Sequence, residues 1–319
     1  MTVVELKSPV ATQSAAAFRH ILVATDFSEA SRRALHHALE IATENRAELS
    51  LVHVLRPDWR YATLESPPEM DLQRADAEQR LKALIRQEAP DHNIDIELMT
   101  SGPVADAVVS FIRESKVDLL VIGTRGRAGL SKLALGSVAE ELLRVAPCPV
   151  MTIGPDADSA ANARGYGFGA ILFATDFGQG SIAALPLALL LAKSHHAKLI
   201  LLHMIPPMPP TTGSLSAYAP TVAGADELQQ WEGASHKRAL QQLRECLPAT
   251  AHLEQQPEFV VGTDFLAEGI LTAADKFEVD LIVMGANHAR SVRVAAHNPW
   301  CAVHEVVRHA PCPVLTVAG

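Results

Sequence analysis

Two short stretches carry residue types that could hold an anionic ligand. One is Ala24-Thr25-Asp26, where an apolar run ends in a hydroxyl and a carboxylate. The other runs from Gly123 through Thr124, Arg125, Gly126 and Arg127 to Gly136, Ser137 and Val138. Glycine lets a backbone approach a ligand closely or turn with positive φ. Gly136 and Ser137 sit where a helical pattern begins, with N–H groups unpaired in the helix and the positive end of its dipole beside them. Such an end is a natural seat for phosphate oxygens. The Ser137 hydroxyl adds a donor, Arg125, Arg127 and Lys132 offset charge, and Asp26 can accept from a ribose hydroxyl. The same residues have plainer uses. Ser137-Val-Ala-Glu140 reads as a capping box, Asp26 can cap the helix that follows it, and glycines after a strand can mark a tight turn.

These stretches lie within a repeat. Ile21-Leu-Val-Ala-Thr-Asp-Phe27 recurs 150 residues later as Ile171-Leu-Phe-Ala-Thr-Asp-Phe177, and Leu51-Val-His-Val54 recurs as Leu201-Leu-His-Met204. Val117-Asp-Leu-Leu-Val-Ile-Gly123 recurs as Val279-Asp-Leu-Ile-Val-Met-Gly285, now 162 residues on. Arg144-Val-Ala-Pro-Cys-Pro-Val150 recurs as Arg308-His-Ala-Pro-Cys-Pro-Val314, 164 residues on. The extra length of the second copy therefore falls mostly in the Pro-rich stretch 206–223, with two residues more after its fourth strand. Each copy alternates strand and helix. In the first, strands are expected near 20–26, 48–55, 94–100, 117–123 and 148–153, rich in Val, Ile and Leu as buried parallel strands are. Helices are expected near 29–45, 70–88, 103–115 and 137–145, with Pro103 in a first turn. The alternation predicts an open, doubly wound α/β sheet in each copy. In such sheets ligands bind beyond the carboxyl ends of the strands, where strand order reverses. If the first and fourth strands are neighbours, the two stretches meet there.

The bulk composition narrows the partners. The 319 residues suit two domains, with 48% hydrophobic and 20% charged residues. A net charge of −9 argues against a nucleic-acid groove or an anionic membrane surface. No apolar run reaches the length of a membrane span. Residues 1–17 read as a loose tail without a secretory pattern, and 155–168 as a linker. Cys148, Cys246, Cys301 and Cys312 lack a framework spacing, so reduced thiols in a cytoplasmic protein are expected.

The spacing Gly123-x2-Gly126-x9-Gly136-Ser137 after a strand and before a helix resembles the ATP-binding signature of the universal stress protein family. The Ala-Thr-Asp-Phe-Ser opening, the Leu-Val-His-Val second strand and the Pro-Cys-Pro-Val ending are similar to that family too, over nearly all of both copies. The resemblance implies two five-stranded parallel sheets in the order 3-2-1-4-5, of the adenine nucleotide α hydrolase-like kind, over residues 18–154 and 169–319. It implies that Asp26 and the backbone of Val54 flank an adenosine, and that Gly123, Gly126, Gly136 and Ser137 cradle phosphates. Ala24, Thr25, Arg125 and Val138 complete the candidate set, with ATP and accompanying magnesium as the ligand. Family members pair through their last strands, so Val150–Ile153 and Val314–Val317 are expected to pair within the chain as a pseudo-dimer, with a homodimer left open. Slow ATP hydrolysis is the most the resemblance implies, and no general base stands beside the signature loop.

The second copy departs where phosphates would lie. His288 stands in place of Gly126, and Trp300 and Cys301 in place of Gly136 and Ser137, so this half is expected to be structural or regulatory. Asn298-Pro299 reads as an N-cap and a first helical residue. His297, Cys301 and His304 are spaced along one helical face and could take zinc or copper, but ordinary helix residues is the preferred reading. His53 and His203 are expected to be local hydrogen-bonding residues, and His36-His37 and His195-His196 to face solvent in part. Three functions compete: an ATP-binding stress-response sensor or regulator, an adenylating or ATP-pyrophosphatase enzyme, and a structural interaction protein. The enzyme is disfavoured because Thr25-Asp26-Phe27-Ser28-Glu29 stands where a Gly-rich phosphate loop should follow strand one.

Overall fold

A computed structural model describes residues 17–56, 67–124, 135–155, 157, 167–206, 225–286 and 299–318. In the first half, strands β1 (His20–Ala24), β2 (Glu48–Leu55), β3 (Asp95–Thr100), β4 (Leu119–Gly123) and β5 (Val150–Ile153) alternate with helices α1 (Glu29–Asn45), α2 (Pro67–Glu88), α3 (Val104–Ser115) and α4 (Ser137–Val145). The second half repeats this with β6 (Ala170–Ala174), α5 (Gln179–Ser194), β7 (Lys198–Ile205), α6 (Ala225–Cys246), β8 (Glu258–Thr263), α7 (Leu266–Lys276), β9 (Leu281–Ala286), α8 (Pro299–His309) and β10 (Val314–Ala318).

All ten strands form one sheet, ordered β3-β2-β1-β4-β5-β10-β9-β6-β7-β8. Each half is parallel and reads 3-2-1-4-5 from its outer edge. The halves join through β5 and β10, which run antiparallel with Leu315 opposite Met151. Thr152 Oγ1 donates to the Val314 carbonyl at 3.2 Å, and Thr316 Oγ1 to the Val150 carbonyl at 3.1 Å. The expected internal pairing of last strands is therefore present, and both hydroxyls are buried within it.

Strands apolar on both faces require a helical layer on each side. On one face Ala34, Leu35 and Ala38 of α1 share a continuous core with Ala184, Leu185 and Ala188 of α5. On the other, Val108 and Ile112 of α3 and Leu142 of α4 share a core with Ile270 of α7 and Val306 of α8. Both cores cross the β5–β10 junction, so the halves are welded rather than tethered.

Local chemistry sets the helix ends. Ser28 caps α1 by accepting the Ser31 N–H, and Arg46 closes it in the left-handed region at φ 52°. Strand one stops at Ala24 rather than at residue 26, because Asp26 Oδ1 accepts the Ser28 N–H at 3.0 Å and bends the chain. Asp26 thus shapes the turn while Ser28 does the capping. Pro103 is the N-cap of α3 rather than its first helical residue. The expected capping box at Ser137 does not form: Gly136 is the N-cap, no side chain caps α4, and Ser137 is already helical.

Candidate functional site

At the carboxyl end of the first-half strands lies a hollow of about 520 Å³. Its size falls within the range of small-molecule sites. Of the predicted residues, Ala24, Thr25, Asp26, Val54, Gly123, Gly136, Ser137 and Val138 line it together. Arg125 and Gly126 fall outside the described residues, as do Arg127 and Lys132. Neighbouring β1 and β4 bring Asp26 and Gly123 side by side, as the switch in strand order requires.

The hollow has two chemically different ends. Towards β2 and α3 its walls are Val52, Val54, Val104 and Val108, an apolar slot. Towards α4 it meets Gly136, Ser137, Val138 and Ala139. The Gly136 N–H donates to the Thr124 carbonyl at 2.9 Å, and the first bond closing α4 runs from the Glu140 N–H to the Gly136 carbonyl, also 2.9 Å. Among the described residues, the N–H groups of Ser137, Val138 and Ala139 have no backbone acceptor. The missing side-chain cap leaves these donors and the dipole end to whatever enters the hollow.

Sequence reasoning passed over Ser31, Arg56, Val104, Val108 and Leu142 of the lining, and gave His53 only a local role. That role is present: His53 Nδ1 donates to the Thr25 carbonyl at 2.7 Å, and its ring packs on Phe27 at 4.5 Å. A neutral His53 with this bond has the tautomer that turns Nε2 into an acceptor. The tie also locks the ends of β1 and β2 together. His203 copies it with the Thr175 carbonyl at 2.8 Å, and burial lowers its pKa despite that bond. Phe27 and Phe177 hold positive φ, 63° and 61°, with their N–H groups donated to Thr25 Oγ1 and Thr175 Oγ1.

Gly123 lines the hollow and also answers a packing constraint. A Cβ there would lie 2.5 Å from the carbonyl carbon of Ala30, in the first turn of α1. Its match Gly285 meets the backbone of Gly180 in α5 in the same way. Both glycines let a helix start pack onto a strand end, a need independent of any ligand. The repeated Asp118 and Asp280 are structural too, accepting N–H groups of Arg19 and His20 and of Gly169 and Ala170.

The second half differs at the same place. Its corresponding hollow is only about 30 Å³, lined by Ala174, Thr175, Asp176, Leu266, Ile270 and Gly285 among others. Helix α8 has 11 residues against the 9 of α4 and starts at Pro299, two residues before the position matching Ser137. Helix α8 is therefore longer than α4 at its start by two residues, about 3 Å, towards the sheet's carboxyl end. Asn298, His288 and His297 fall outside the described residues, and the side chains of Trp300 and Cys301 likewise. His304 lies 3.9 Å from Glu140 of α4, its match across the pseudo-twofold axis. Among the described residues, no group of three metal-binding side chains occurs.

The paired histidines divide. His36 is half exposed and bonds Glu88 at 2.8 Å, and His196 is exposed, but His37 is buried, and His195 is partly buried with its ring against Glu44 and Phe168. Of the four, His37 alone departs from the expected partial exposure; the ring of His195 is covered because the C-terminal turns of α1 and α5 meet there. Cys148 and Cys312 are buried thiols; burial pushes Cys148 up to about 12 and Cys312 higher still, so neither is a nucleophile. Among the described residues, no helix is long and apolar enough to cross a membrane.

Comparison with known proteins now bears on this geometry. The sequence profile of the universal stress protein family matches residues 17–154 and again 167–318. The chain belongs to the universal stress protein family. Curated relatives match it one domain at a time. A universal stress protein of Methanocaldococcus jannaschii is 32% identical over 140 residues, 43% of this chain and 82% of its own length. A universal stress protein A homologue of Coxiella burnetii is 32% identical over 142 residues, 43% of this chain and 96% of its own length. Over the whole chain, a universal stress protein crystal structure from Archaeoglobus fulgidus superposes with a TM-score of 0.64 at 18% identity, covering 96% of this chain and 99% of that one. That likeness establishes the two-domain, adenine nucleotide α hydrolase-like fold.

Proposed function

We propose that this universal stress protein binds one adenine nucleotide, ATP with magnesium, in its first half and acts as a stress-response sensor or regulator. The observation that carries the reading is one continuous hollow joining an apolar slot to an uncapped helix start. The base enters between Val52, Val54, Val104 and Val108, beside the β2 backbone. Asp26 accepts from the ribose. The phosphates reach the N–H groups of Ser137, Val138 and Ala139 and the Ser137 hydroxyl, where charge–dipole attraction contributes about 0.3–1 kcal/mol per charge. Gly123 and Gly136, with Arg125 and Gly126 of the signature, are assigned to the same phosphates. Among the described lining residues Asp26 is the sole carboxylate, so magnesium would be held by phosphate oxygens and water, its usual shell.

The reading assigns binding rather than turnover. Among the described lining residues the one titratable ring, His53, belongs to β2 on the nucleoside side, with Nδ1 already engaged. A signal would leave the site through α4, whose Glu140 faces His304 of the second half. The last strands are consumed within the chain, so a homodimer would use another surface.

Calorimetric titration of ATP and AMP with magnesium tests the reading on wild type and on a Gly126→Trp, Gly136→Trp double variant. Micromolar binding near one site per chain, lost in the variant, is expected. No binding to wild type would leave an interaction protein with an idle loop. Two sites would refute the assignment to the first half alone.

A further inference from the structure

We propose that the second half carries a nucleoside-shaped slot that is complete in its walls and filled by one side chain, Met204. The inference rests on reading the first hollow as a nucleoside site, since Met204 occupies the position of Val54 there. Val54 lies opposite Met99 of β3, whereas Met204 lies opposite Gly262 of β8. The methionine has thus moved from the third strand of the first half to the second strand of the other, and glycine stands where it left.

Two glycines make room for this side chain. A Cβ at Gly262 would lie 2.7 Å from Met204 Cε and 2.8 Å from its Sδ. A Cβ at Gly269, in the first turn of α7, would overlap the Met204 methyl and lie 2.7 Å from Sδ. Glycine weakens both a strand and a helix, so neither position favours it on local grounds. Both become intelligible as the two sides of a socket for one flexible thioether. Ala107 occupies the position matching Gly269 in the first half, where no methionine enters from β2.

Lining residues locate the plug. The first hollow is walled by Ala24, Thr25, Asp26, Val104, Val108 and Gly123, and beyond them by Val52, His53, Val54 and Leu55 of β2. The second keeps Ala174, Thr175, Asp176 and Gly285, has the larger Leu266 and Ile270 in place of Val104 and Val108, and reaches no residue of β7. The strand cut off from this lining, β7, is the one from which Met204 projects onto α7, and Met204 is 9% exposed there. Occupancy of one site per chain then has a cause on the nucleoside side, separate from the altered phosphate side.

Two measurements test this. Stability comes first and involves no ligand. Gly269→Ala should lower the melting temperature of wild type by forcing the thioether from its socket, and raise it in a Met204→Val background, where alanine simply favours the helix. The same sign in both backgrounds would overturn the socket. The second is equilibrium dialysis with adenosine, which lacks the phosphates that the second half is poorly built to hold. Wild type should bind about one adenosine per chain and Met204→Val about two. The reverse transfer, Val54→Met with Met99→Gly and Ala107→Gly, should fill the first slot and abolish binding, which keeps the test open should Met204→Val fold poorly. Equal stoichiometry in wild type and folded Met204→Val, or undiminished binding by the reverse variant, would overturn the plug. Binding by Met204→Val without any by wild type would keep the plug and overturn the first-half reading instead.

Discussion

Gly123→Ala separates a glycine that serves a ligand from one that serves the fold. The added methyl would sit 2.5 Å from the Ala30 carbonyl carbon and 2.6 Å from its oxygen. Both are backbone atoms of a capped helix, so no rotamer change relieves the overlap. Either α1 lifts from β4 or β4 shifts, and both belong to the same closely packed core. Overpacking of this kind costs about 1–3 kcal/mol, and immovable backbone puts the expectation near the top, at about 3 kcal/mol. At about 2–4 °C per kcal/mol, the melting temperature should fall by about 6–12 °C. Gly285→Ala should do the same, because its methyl meets the Gly180 backbone. Gly233→Ala is the control: it lies exposed in α6 with nothing within 4 Å, and should stabilise by about 0.5–1 kcal/mol through helix propensity. The assay is thermal and urea unfolding without nucleotide. An unchanged midpoint for Gly123→Ala, with nucleotide affinity alone reduced, would refute the packing argument and return Gly123 to the ligand.

Other perturbations have simpler expectations. Ser28→Ala removes the acceptor of the Ser31 N–H and should cost about 0.5–2 kcal/mol in urea unfolding. Thr152→Val and Thr316→Val each delete one buried bond across the β5–β10 junction, and each should cost about 0.5–1.5 kcal/mol by the same assay. Burial holds the pKa of His203 and His195 below the ordinary 6.5, so the unfolded chain binds more protons as pH falls below that value. Their contribution is therefore complete above about pH 6.5 and lost on acidification, while Glu44, raised by burial, contributes in the opposite sense above its ordinary 4.5. His203→Asn, which keeps a donor near the Thr175 carbonyl, should flatten the fall in stability as pH drops below about 6.5; an unaltered slope would show that His203 does not contribute to it.

The sequence by itself determined the architecture and the neighbourhood of the site. Alternating apolar runs and helical patterns, repeated as Ile21–Phe27 and Ile171–Phe177, demand parallel strands with helices on both faces, and the crossover rule leaves few ways to arrange them. It also showed that the second copy loses its phosphate-side glycines. Tertiary structure decided matters that depend on which surfaces meet. Gly123 read only as a candidate ligand contact because its flanking strand alone was visible, whereas a second constraint comes from Ala30, 93 residues away in the chain. The covering of the His195 ring could not be read from its own helix because Glu44, in the last turn of α1, supplies it from the opposite half. The seat of Met204 required β7, β8 and α7 together, since each of its glycines, taken alone, reads as a weak spot in a strand or helix. Periodicity reports which face of an element is apolar; it carries no record of the distance between two backbones or of a side chain that reaches across from a third element, and those distances set the size of the two hollows.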